Sequence, residues 1–186
     1  KNAIVTVNTT PTASIAGTTT ICNGKSATLS ASGSADYSWS TSATTQNISV
    51  APVSNTTYTV TATNALGCTD TENVIVTVNA TPTASIAGTT TICNGKSTTL
   101  SASGGGTYSW NTSAETQNIA VAPASNTTYT VTATNALGCT DTENAIVTVN
   151  ATPTASIAGT TTICNGKSTT LSASGGGTYS WNTSAE

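Results

Sequence analysis

The sequence predicts an all-β chain of tandem two-layer β-sandwiches joined end to end, and three observations lead there. The first is a unit copied every 71 residues: Cys22 returns as Cys93 and Cys164, Trp39 as Trp110 and Trp181, Pro11 as Pro82 and Pro153, and residues 81–115 recur unchanged as 152–186. A fixed period of this size marks a string of modules, each meeting mainly its neighbours. The second is a series of short runs of alternating apolar and polar residues, broken by Gly, Asn, Pro and Ser, with no stretch at the helical period. The third is the abundance of Thr, about a quarter of the chain. Thr is β-branched, favours strands, and can turn its hydroxyl to water.

The copies set the boundaries. Asn2-Ala3-Ile4-Val5-Thr6-Val7-Asn8 matches Asn73-Val74-Ile75-Val76-Thr77-Val78-Asn79. Residues 1–8 therefore read as the last strand of a preceding repeat, 9–79 and 80–150 as two complete repeats, and 151–186 as the first half of a further one. The chain reads as an excerpt of a longer array, so the lack of a signal peptide or apolar span says nothing of its parent.

Within the first unit the elements follow in order. A first strand is expected over 12–16, behind Pro11 at the module entrance, where a missing N–H costs least. Asn23 and Gly24 supply a turn, and the second strand covers 27–32 with Leu29 and Ala31 pointing inward. A third strand carries Tyr37 and Trp39, of which we expect one to face the core and one to face out. Ile48 and Val50 mark the next strand. Residues 57–63 alternate, with Tyr58, Val60 and Ala62 inward and Thr59, Thr61 and Thr63 outward, and 73–78 place Val74, Val76 and Val78 on one face. Trp39, Tyr58, Trp110, Tyr129 and Trp181 are the expected large members of the cores.

Composition excludes several classes of function. Only 6% of residues are charged, the net charge is -3, and four Lys with no Arg cannot build the basic footprint that phosphate backbones require. Neither nucleic acid nor an anionic membrane surface is expected as a partner, and no segment should insert into a membrane. With no His, the common general base is missing and no Ser-His or Cys-His pair can be drawn, so no catalytic residue and no cofactor is expected. Asp70 and Glu72 recur as Asp141 and Glu143; they read as solvated loop charges, with a calcium site as the sharper alternative. Solubility at such low charge would come from surface hydroxyls or from glycans on them, and Asn-x-Ser/Thr sequons stand at Asn8, Asn47, Asn55, Asn79, Asn111, Asn126, Asn150 and Asn182.

Trp39 on the third strand, Tyr58-Thr59-Val60 on the fifth and Asn23-Gly24-Lys25-Ser26-Ala27-Thr28-Leu29 at the second resemble an immunoglobulin-like domain of bacterial type over the whole repeat. Ala31 and Val60 stand where that fold places its usual disulfide. The finer motifs Ile21-Cys22-Asn23-Gly24, Gly104-Gly105-Gly106-Thr107-Tyr108-Ser109-Trp110 and Leu66-Gly67-Cys68-Thr69 are similar to repeats of giant secreted surface adhesins of gliding Bacteroidota, exported by type IX secretion. The resemblance implies a structural and adhesive stretch of a long extracellular filament attached to the outer membrane, a gliding-motility adhesin. Its partners would be neighbouring repeats, other copies of the filament, and surface glycans or abiotic surfaces. The alternative is a carbohydrate-binding or spacer array on a secreted polysaccharide-degrading enzyme, with Tyr37 or Tyr108 stacking on a sugar ring.

The cysteines come as regular pairs without metal-type spacing, which argues for disulfides and an oxidising compartment. On the immunoglobulin template Cys22 precedes the turn into the second strand and Cys68 lies in the last hairpin. These are opposite poles, roughly 20 Å apart at about 3.3 Å per residue. A disulfide spans at most about 7 Å between Cα atoms. The template thus favours a cross-module bridge, Cys22 to Cys139. Within-repeat bonds, Cys22 to Cys68 and Cys93 to Cys139, stay open, because the short connection from Trp39 to Ile48 could alter the strand order.

Overall fold

A computed structural model describes residues 3–182, so Lys1, Asn2 and Glu186 of the reading above lie outside it. The first repeat forms β1 (Ser14–Gly17), β2 (Thr20–Cys22), β3 (Ala27–Ser32), β4 (Asp36–Trp39), β5 (Asn47–Val50), β6 (Thr56–Thr63) and β7 (Thr69–Asn79). Two sheets, ordered β1-β3-β5 and β2-β7-β6-β4, face each other as a sandwich. Neighbouring strands are antiparallel, except that β2 runs parallel to β7. The second repeat reproduces this plan as β8 (Ser85–Gly88), β9 (Thr91–Cys93), β10 (Thr98–Ser103), β11 (Thr107–Trp110), β12 (Asn118–Val121), β13 (Thr127–Thr134) and β14 (Thr140–Asn150). The described part of the third repeat holds β15 (Ser156–Ala158) paired with β16 (Ser172–Ser174).

Period-two alternation decides which residues go in. Along β3 Ala27, Leu29 and Ala31 are buried; along β6 Tyr58, Val60 and Ala62 are buried while the Thr between them reach solvent. The interior joins Leu29, Trp39, Ile48, Val60 and Val76, and a second cluster of Leu100, Trp110, Ile119, Val131 and Val147 belongs to the second repeat alone. Ala31 and Val60 both lie in the first cluster, as apolar groups of the core. The Trp39 indole N–H donates to the Thr45 carbonyl oxygen at 2.9 Å, so the ring is buried without losing its polar contact.

Four expectations need correction. The first strand is two, because the chain crosses from one sheet to the other at Gly17, whose φ is +135°. A Cβ there would lie 2.1 Å from the Thr28 carbonyl oxygen. Tyr37 and Trp39 do not face opposite ways: residues two apart share a face, and both are buried. Residues 3–8, expected as a strand, form none. Their counterpart 74–79 is held by β6 on one side and β2 on the other, and 3–8 have no such neighbours among the described residues. Trp181, expected in a core, is 45% exposed, because nothing among the described residues plays for it the part that β6 plays for Trp39.

Candidate functional site: the junction between modules

The chemistry that distinguishes this chain lies where the first sandwich meets the second. β7 ends at Asn79, and its parallel register with β2 sets Cys22 directly beside Asn79. The Asn23 N–H donates to the Asn79 carbonyl oxygen at 2.8 Å, and the Lys25 N–H to that of Cys22 at 3.0 Å, which closes the turn after Cys22. Cys22 thus sits at the pole from which the chain leaves the first module.

The second module receives the chain at the opposite pole, in the hairpin between β13 and β14. There Asn135 organises a tight turn: its Oδ1 accepts from the N–H groups of Leu137 and Cys139, each at 3.0 Å. Gly138 takes φ +78°, where the turn needs a left-handed residue and a side chain would be strained. The Asn135 side-chain amide also donates to the Ala80 carbonyl oxygen at 2.9 Å. Asp141 Oδ2 accepts from the Ala84 N–H at 2.8 Å. The short connection 80–84, with Pro82 fixing one φ, is therefore clamped at both ends onto the module it enters.

Cys22 and Cys139 are joined across this junction by a disulfide, with Cα atoms 5.6 Å apart, within the range such a bond requires. Cys139 is fully buried. The alternative pairings do not occur: Cys68 and Cys93 are free, at the far poles of the two modules, and Cys164 is exposed and free. Cys68 occupies in the first module the turn that Cys139 occupies in the second, with Asn64 in the place of Asn135.

Two assignments change. Asp70 is not a purely solvated charge, since its Oδ2 accepts from the Ala13 N–H at 2.8 Å as Asp141 does from Ala84. Sequence reasoning missed this clamp. The one signal that could have found it is the return of the same Asp, one residue into the last strand, in both copies. Tyr37 and Tyr108 also lose the role of exposed sugar platforms: the Tyr37 hydroxyl donates to the Ser34 carbonyl oxygen at 2.5 Å and the Tyr108 hydroxyl to that of Gly105 at 3.0 Å. Among the described residues no cluster of three or more Cys, Asp or Glu is placed to hold a metal ion. A hollow among the described residues of the third repeat is lined by Ile157, Ala173, Tyr179 and Trp181.

No protein-family model and no curated protein matches the chain. Among solved structures it is similar to a Ca²⁺-stabilized adhesin with which an Antarctic bacterium binds ice, at 15% identity and a TM-score of 0.45, covering 81% of this chain and 52% of that one. It is similar to a 1.5-MDa bacterial ice-binding adhesin at 11% identity and a TM-score of 0.38, covering 82% and 70%. A third is SGBP-B of the Bacteroides ovatus mixed-linkage glucan utilization locus, in complex with a heptasaccharide, at 15% identity and a TM-score of 0.23, covering 83% and 47%.

Proposed function

We propose that this chain is a structural and adhesive stretch of a long filament on the outside of a bacterial cell, non-enzymatic, whose product is reach. The carrying observation is the junction: consecutive sandwiches are joined pole to pole by a clamped connection and a disulfide, an arrangement that adds length with each copy. The bond also favours an oxidising, extracellular setting. The finer reading, a gliding-motility adhesin exported by type IX secretion and attached at the outer membrane, rests on the motif resemblance. The competing reading, an array of sugar-binding modules, would need a stacking platform other than Tyr37, whose ring is buried.

Negative-stain electron microscopy of the native assembly tests the reading. β7 has 11 residues, which at about 3.3 Å per residue sets a module length of roughly 40 Å with its connection. Thin single filaments with that axial repeat are expected on the cells. Compact particles, or modules appended to a polysaccharide-degrading enzyme, would overturn it.

A further inference from the structure

The position of the disulfide in the strand topology bears on how tension would pass through the chain. Without the bond, a pull entering at β1 and leaving through β7 has to cross from one strand to another inside the first module. That crossing uses the hydrogen bonds of the parallel β2–β7 pair, among them Thr77 N–H to the Thr19 carbonyl oxygen and Asn23 N–H to that of Asn79, both 2.8 Å. The second module repeats the problem at β9 and β14, with Thr148 N–H on Thr90 O and Asn94 N–H on Asn150 O, again 2.8 Å. Parallel neighbours pulled from opposite ends are sheared against each other, and the sandwich opens when those few bonds fail.

The bond between Cys22 and Cys139 removes that shear. A covalent line now runs through β1 and β2 to Cys22, across the two sulfurs to Cys139, and along β14 to Asn150. A second line, β7 continuing through 80–84 into β8 and β9, runs beside it in the same direction: β2 is parallel to β7 in the first module, and β14 to β9 in the second. The two lines exchange places at the junction. Strands β3–β6 and β10–β13, which hold most of both cores, lie off the first line as side loops.

We infer that the cross-module disulfide is a tension bypass. It carries an axial pull past both hydrophobic cores, so that residues 23–138 stay folded under forces that would unravel an unbridged pair. The geometry explains why the bond joins modules: a bond within each repeat, Cys22 to Cys68, would protect only 23–67 and leave β7 in the pulled segment. The inference concerns the mechanics of the chain and holds whether or not it binds a surface, so its failure and that of the proposed function are separable.

Single-molecule force spectroscopy on the full 186-residue chain, held by handles at its two ends that use no cysteine, tests it. The oxidised chain should show no extension from 23–138. Treatment with a phosphine reductant, or the substitution Cys22→Ser without reductant, should add unfolding events totalling on the order of 400 Å, at about 3.5 Å per residue over the 117-residue separation. Cys93→Ser should behave as the unaltered oxidised chain. An oxidised chain that already extends fully overturns the bypass. So does one in which only 23–67 and 94–138 are withheld, the mark of within-repeat bonds, and so does a Cys93→Ser chain that lengthens without reductant.

Discussion

Asp141 shows how much of the junction rests on single polar contacts that carry no sequence signature of their own. Its carboxylate accepts the Ala84 N–H, a backbone donor 57 residues away, and thereby fixes where the chain enters the second sandwich. A backbone amide leaves no mark in a sequence, so Asp70 and Asp141 could be read only as recurrent charges near a hairpin. Cysteine pairing met a related obstacle: the spacing allowed Cys22 to reach either Cys68 or Cys139, and the choice depends on which poles face each other. A hydrogen bond to a charged group contributes about 1.5–3 kcal/mol. Asp141→Ala is expected to destabilise the second module by that amount in urea titrations followed at Trp110, and Asp141→Asn, which keeps an acceptor, by less. Equal urea midpoints for Asp141→Ala and the unaltered chain would remove the clamp from the account.

Strands were legible wherever alternation was strict. β3 spans the residues expected of it, β5 holds Ile48 and Val50 as expected, and β6 carries the expected inward residues, because a buried face with period two leaves one reading of the register. The first strand was less legible because its two halves belong to different sheets, and the switch depends on one glycine whose need for a positive φ appears only when Thr28 is placed against it. Trp181 was misplaced for a reason at the same scale: Trp39 is buried through its pairing with Val60 on β6, a strand far along the chain. Each core is drawn from one repeat, so damage to one should stay there. Leu100 is fully buried, and Leu100→Ala should cost the second module about 2–5 kcal/mol through lost contacts and a cavity. In the reduced protein, amide exchange should then accelerate in β13 and β14 while β6 and β7 hold their protection. Acceleration in both modules would mean that the cores are coupled.

For the molecule as a whole, the notable economy is in charge. With 6% of residues charged, the modules have few ion pairs to draw on, and each relies on a small apolar interior, clamped entries and the bond to its neighbour. Closing a loop of this length restricts the unfolded chain by about 4–5 kcal/mol. That restriction is shared by two modules, because neither can unfold without the loop being held by the other, which leaves about 2 kcal/mol for each. At about 4–8 °C per kcal/mol for domains of this size, oxidised protein should melt roughly 10 °C above Cys22→Ser. Calorimetry checks this against Cys93→Ser, which removes a free thiol of the same kind and should melt with the unaltered chain. If Cys22→Ser and Cys93→Ser melt together at the unaltered temperature, the bond contributes no stability between modules, and the cores stand on their own packing.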